Sequence, residues 1–127
     1  MEFFVDTKKR TEVVDITDSV KGALKGNIKE GICIVHAPHA TAGIIINEYE
    51  PNLEMDFLKF FERFVPKGNY EHNKIDDNAE AHMLSAFFGS GKAVPIVDGT
   101  LGLGMWQRIL LCEFDGPKRR KIIVITR

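Results

Sequence analysis

Apolar and polar residues alternate at the two ends of the chain and fall into a helical period in the middle. Residues 2–6 form a short apolar run, and residues 10–17 set Val14 and Ile16 among polar neighbours, which predicts two strands. The link between them, Thr7-Lys8-Lys9, is short enough for a hairpin. Thr17-Asp18-Ser19 can cap a brief helix over 19–25, with Val20 and Leu24 on one face and Gly26-Asn27 as its stop. Residues 32–35 and 42–46 show little alternation, the pattern of strands covered on both faces.

From 51 to 65 the period changes. Leu53, Phe57, Phe60, Phe61 and Phe64 recur at helical spacing, Pro51 fits the first turn, and Pro66-Lys67-Gly68 ends the pattern. An aromatic stripe of this kind is core packing far more often than a ligand pocket. A further helix runs to about residue 88, burying Leu84, Phe87 and Met83 before Gly89-Ser90-Gly91 breaks it. Strands follow over 92–98, 107–115 and 120–126, joined by a glycine-rich turn at 99–104 and by Gly116-Pro117. Strands first and last with helices between give one α+β domain over 1–127, with mixed or antiparallel sheets and about three helices packed to one side.

Composition narrows the function classes. Seventeen basic against 18 acidic residues leave a net charge of −1, so electrostatics gives no ground for expecting nucleic acid or an anionic membrane as a partner. No apolar run approaches the length of a membrane span, and Met1-Glu2-Phe3-Phe4-Val5-Asp6 lacks the basic start of a signal peptide, which makes a cytoplasmic location the expectation. Cys33 and Cys112 stand singly inside apolar runs, as inert core thiols do, and no CxxC supports a zinc knuckle or a redox pair.

Chemistry concentrates in His72-Asn73-Lys74-Ile75-Asp76-Asp77-Asn78-Ala79-Glu80-Ala81-His82, where Asp76, Asp77 and Asn78 are cap-type residues at the start of a helix. Asn78 and His82 are four apart and share a helix face. His36 and His39 follow a strand, and one of them can join His72 and His82 in a three-histidine cluster with an open fourth position, the arrangement of catalytic zinc. Spacing does not decide this, because ten residues between His72 and His82 match no short zinc signature. Asn47-Glu48 ends another strand, where Glu48 is either a general base or ligand or an acidic residue leading into the helix at Pro51. Gly89-Ser90-Gly91-Lys92 fails as a P-loop, since Ala86 and Ala93 stand where glycine and Ser or Thr are needed. Gly99-Thr100-Leu101-Gly102-Leu103-Gly104 lacks dinucleotide spacing and reads as a tight backbone loop.

Taken together, His39-Ala40-Thr41-Ala42-Gly43-Ile44 with Asn47-Glu48, Tyr70-Glu71-His72, Asp77-Asn78-Ala79-Glu80-Ala81-His82 and Leu103-Gly104-Met105-Trp106-Gln107-Arg108-Ile109 closely resemble the YjbQ-like family, described as secondary thiamine-phosphate synthases. Asp115-Gly116-Pro117 before a basic final strand agrees. The resemblance implies a compact homotrimer and a metal site at His39, His72 and His82, holding zinc or, with a pyrophosphate substrate, magnesium. It places Glu48 beside His72 and His82 as a catalytic residue, and Asn47, Asn78, Gly99, Gly104, Trp106 and Gln107 around a phosphorylated substrate. His36 has no counterpart in these motifs. The family usually carries threonine before the tryptophan; Met105 removes that hydroxyl. The implied reaction joins a pyrimidinylmethyl pyrophosphate to a thiazole phosphate, and the alternatives are a metal-assisted phosphoester hydrolase and a non-catalytic trimeric binder of a metal or phospho-ligand.

Overall fold

Six consecutive buried residues, Ile109-Leu110-Leu111-Cys112-Glu113-Phe114, mark the strand on which the fold is built. In the computed structural model, which describes residues 1–24 and 26–127, this strand is β7 (Arg108–Glu113). It is the middle of a three-stranded sheet, between β2 (Glu12–Asp15) and β4 (Ala42–Asn47). A second sheet of five strands has the order β1 (Glu2–Asp6), β8 (Arg119–Thr126), β3 (Gly31–His36), β5 (Gly91–Val97) and β6 (Thr100–Leu101). Every pairing is antiparallel.

Because strand side chains alternate between faces, β7 feeds two cores. Ile109 and Leu111 point into a cluster with Val35, Ile44, Val94, Ile122 and Val124, which fills the space between the two sheets. The short helix α1 (Thr17–Gly22) closes this space with Val20. Leu110 and Cys112 point the other way, into a cluster with Phe61 of α2 (Pro51–Phe64) and Ala81 and Leu84 of α3 (Ala79–Phe88). The layers are therefore five-stranded sheet, three-stranded sheet, then helices. Full burial of each such aliphatic side chain contributes roughly 1.5–3 kcal/mol. Among the described residues no helix is long and apolar enough to cross a membrane.

Several local expectations are corrected. Strands β1 and β2 form no hairpin: β1 pairs with β8 and β2 with β7, and Thr7 between them is buried, donating to Glu113 Oε1 at 2.7 Å while it accepts from Lys118 N at 2.9 Å. Strand β3 is covered on one face only, with Cys33 and Val35 inward and Ile32, Ile34 and His36 outward. On α2 only Phe61 is fully buried. Phe60 and Phe64 lie at the rim and stack with Phe87 and Phe88, Phe64 to Phe87 at 4.5 Å between ring centres. Phe87 is 65% exposed and Met83 is also exposed, because α3 has Ala81, Leu84 and Ser85 on its inner face and these two on its outer one. Helix α1 starts earlier than predicted, at Thr17, and the predicted end at Lys25 lies outside the described residues.

Candidate functional site

The segment from Glu71 to His82 folds as a 3-10 turn (Glu71–Lys74), a short link and α3. The predicted side-chain caps are not used: Asn78 is the N-cap residue without a side-chain cap bond, and Asp76 and Asp77 face solvent. Asn73 supplies the cap instead, its Oδ1 accepting from Ala79 N at 2.8 Å while its amide donates to Glu80 at 3.0 Å. This releases Asn78, which is buried, for another role. Its Nδ2 donates to Asp115 Oδ2 at 2.9 Å and its Oδ1 lies 2.9 Å from His72 Nε2.

The direction of that chain follows from charge. Burial alone would raise the Asp115 carboxyl, but the bonds from Asn78 and Lys118 and the charges of Lys118 and Arg10 hold it below the usual carboxylate value. An ionised carboxylate only accepts, so Asn78 must turn its amide toward Asp115 and its oxygen toward His72. His72 therefore carries its proton on Nε2 and keeps Nδ1 as the basic nitrogen. The His82 ring packs edge-on against it, with ring centres 4.7 Å apart.

Beneath this chain is a buried ion pair. Arg120 and Glu113 are both fully inside; Arg120 Nε donates to Glu113 Oε1 at 2.9 Å, its Nη2 also donates to Glu113 Oε2, and Nη2 donates to Thr41 Oγ1 at 2.9 Å. Glu113 Oε2 accepts from Asp115 N at 3.1 Å, which ties the pair to the Asp115–Asn78–His72 chain. Burial by itself would raise Glu113, yet the bonds from Arg120, Thr7 and the Asp115 amide bring it below its ordinary value.

His39 is held separately. Continuing the β3–β8 register would set Pro38 against Lys121, and proline has no N–H to offer. The His39 ring fills the gap: Lys121 N donates to its Nε2 at 2.8 Å, with Lys121 O 3.0 Å away. Burial, the Arg120 charge and His36 push His39 below its ordinary value of 6.5, against the raising effect of the Lys121 carbonyl and Glu113. The structure thus brings His72, His82 and Asn78 together and keeps His39 apart on Lys121; the chain after His39 reaches α3 at Ala42, whose carbonyl accepts from Ser85 at 2.6 Å. Among the described residues no group of three His, Cys, Asp or Glu side chains gathers as a metal ion requires.

The remaining predicted residues lie elsewhere. In the β4–β7 pair Ala42 faces Glu113 at one end and Asn47 faces Arg108 at the other, five residues along, or roughly 17 Å at about 3.3 Å per residue. Asn47, Glu48, Trp106 and Gln107 belong to this second end, Gly104 lies in the short link from β6 to β7, and Gly99 in the turn between β5 and β6. Gly99 adopts φ +78°, which suits glycine, and donates to Lys29 O at 3.0 Å. Gln107 folds back so that its Oε1 accepts from Gly104 N at 2.8 Å and its own N donates to Gly104 O at 3.1 Å. Trp106 projects from this closed turn 67% exposed. The first end contains groups to which the sequence reading gave no role: Asp115 and Thr41, present in its motifs, and Arg10, Lys118, Glu113 and Arg120. One signal was available, a glutamate inside an otherwise apolar run, which needs a buried cation.

Both cysteines are buried, and burial pushes the Cys112 thiol up to about 12, so neither is a nucleophile at neutral pH.

Comparison with known proteins agrees with the fold and the motif order. The family model described as UPF0047 protein YjbQ-like matches residues 1–126. A UPF0047 protein of Archaeoglobus fulgidus is 44% identical over 125 residues, covering 98% of each chain. UPF0047 protein YugU of Bacillus subtilis is 39% identical over 118 residues, covering 91% of this chain and 89% of its own. Among solved structures, a hypothetical protein from Aeropyrum pernix superposes with a TM-score of 0.96 at 37% identity, over 100% of this chain and 96% of that one. A YbjQ-like protein of unknown function from Sulfolobus solfataricus gives 0.95 at 42%, over 98% and 92%. With the same two-sheet fold and a match along almost its whole length, this chain belongs to the UPF0047, YjbQ-like family.

Proposed function

We propose that the histidine end is the active site of a transferase that joins a pyrimidinylmethyl pyrophosphate to a thiazole phosphate, as the resemblance to thiamine-phosphate synthases implies. The observation that carries this reading is the Asp115–Asn78–His72 chain, an imidazole oriented from behind beside a second imidazole and bordered by cations. Arg10 and Lys118 reach Asp115 at 3.3 and 2.7 Å. In the reaction the carbon–oxygen bond to pyrophosphate breaks, the thiazole nitrogen lone pair forms the new carbon–nitrogen bond, and pyrophosphate departs with the electron pair. Negative charge grows on the leaving group, and fixed cations aimed at that place lower the barrier. The role of His72 and His82 is to hold the phosphate end in line for attack.

The donor set suits a divalent ion in part. His72 Nδ1 and the His82 ring are neighbouring nitrogen donors, and His72 has the second hydrogen bond that ligating histidines usually make. A third donor must come from His39, at the expense of its hold on Lys121, or from Glu48. Zinc or magnesium bound there would neutralise charge on the departing pyrophosphate. The outward apolar face of the five-stranded sheet, with Phe4, Ile32, Ile34, Val97 and Ile125 exposed, supports self-association, and a homotrimer is the assembly we propose.

Incubating the protein with both precursors tests the reading, with thiamine phosphate and released pyrophosphate as readouts. His72→Ala should lower turnover by about 100-fold or more. Hydrolysis of phosphoesters without thiamine phosphate would favour the hydrolase, since His72 Nδ1 can equally take a proton from water. If His72→Ala and His82→Ala change neither metal content nor turnover, the site is elsewhere.

A further inference from the structure

We infer that the site is completed between two copies of this chain: the end bearing Glu48 and Trp106 on one copy seats against the end bearing His72 and His82 on the next. This deepens the proposed function and rests on it for the grouping of these residues into one site.

Four observations carry the inference. First, the register of β4 against β7 places the two sets at opposite ends of one strand pair, so a single chain cannot bring them to one substrate. Second, two large apolar side chains are 87% exposed, and they sit at opposite ends: Ile75, whose amide donates to His72 O at 2.9 Å, and Met105, next to Trp106. Each end thus carries bare apolar surface beside polar site residues, the composition of an interface rather than of a solvated loop. Third, the turn holding Met105 and Trp106 is closed by both Gln107 bonds, so the backbone that presents the indole is fixed and loses little freedom on contact. Fourth, the charges match. Glu48 is an exposed carboxylate, whereas the exposed cations Arg10 and Lys118 gather on Asp115 behind His72.

The two ends are unlike each other, so the contact is head to tail. Such a contact does not pair two copies about a twofold axis; repeated with a rotation that closes, as in the homotrimer proposed above, it forms a ring in which every interface holds one site. The apolar outer face of the five-stranded sheet runs from Val97 near one end to His36 near the other and is the surface such a ring would cover. In that arrangement Glu48 supplies the third donor to His72 and His82, and Trp106 supplies the wall for a ring of the substrate.

Cross-linking tests this without relying on activity or metal. One chain carries Ile75→Cys, a second of different mass carries Met105→Cys, and the two are co-expressed and treated with a short bismaleimide; Cys33 and Cys112 are fully buried and do not compete. We expect a cross-link between chains of different mass, absent when either chain is treated alone. A monomer in solution, or an oligomer that gives no mixed cross-link, overturns the inference. Complementation adds a functional arm: His72→Ala and Trp106→Ala chains, each inactive alone, should regain about a quarter of wild-type turnover when randomly mixed in a ring of head-to-tail sites. No recovery overturns the composite site while leaving the reaction in place. A mixed cross-link in a protein that forms no thiamine phosphate overturns the reaction while leaving the composite site in place.

Discussion

The two ends of the β4–β7 pair are built on opposite plans. At the histidine end side chains hold one another: Arg120 is locked on Glu113 and Thr41, Asp115 on Asn78, and Asn78 on His72. At the tryptophan end the bonds hold the backbone, as between Gln107 and Gly104, while Trp106, Met105 and Glu48 face outward. The first plan fixes donor directions before any ligand arrives, which is what electrostatic catalysis requires. The second fixes a platform and leaves its side chains to be met by something else.

The largest expected effect tests the internal plan. Arg120→Ala leaves the Glu113 carboxylate buried without its cation and should cost about 3–5 kcal/mol of folding stability in urea titration. Trp106→Ala, measured at dilutions where the chain is monomeric, should change folding stability by no more than about 0.5 kcal/mol. Equal losses at the two ends would erase the distinction. Next comes Gly116→Ala, whose added methyl would collide with the Lys9 carbonyl and press on Glu113 and Thr7. It should cost about 1–3 kcal/mol by the same titration and loosen Asp115.

A sharper test separates orientation from stability. At the zinc site proposed above, Asn78→Ala should weaken binding by about 10- to 100-fold in calorimetric titration, because His72 loses the partner that fixes its tautomer. Asn78→Asp should not restore it, since a carboxylate cannot donate to Asp115. The smallest effect is in pH dependence. His39, flanked by Arg120, Glu113, His36 and Lys121, has a folded pKa below 6.5, so the unfolded chain takes up its proton first. Stability should be full above 6.5 and fall as pH drops toward the lowered value. A second loss follows below the ordinary values of 4.5 and 3.8 as Glu113 and Asp115 are protonated. His39→Gln should remove the first slope in pH-dependent urea midpoints and leave the second.

Much of this was legible in the chain because it is local. Alternation marked β2, helical spacing marked α2, and the crowding of His72, Asn78 and His82 marked one wall of the candidate site. What stayed hidden depends on partners far apart. Asn78 read as a cap-type residue and a substrate contact, while the partner that takes its amide, Asp115, lies 37 residues on. Glu113 and Arg120 drew no attention within strands 107–115 and 120–126, although both occupy inward positions. The separation of Glu48 and Trp106 from the histidines could not be read from motif order, which says which residues occur together but not at which end of a strand. Phe60, Phe64 and Phe87 were assigned to the core because the period of an apolar stripe does not report how wide its contact will be.

The imidazole that stands in for Pro38 has a consequence for hydrogen exchange. Where most strand amides are shielded by a neighbouring carbonyl, the Lys121 amide is shielded by the lone pair of His39 Nε2. That lone pair disappears on protonation, so exchange at this one amide should follow the titration of a side chain, while its neighbours on β8 continue to report the opening of the sheet.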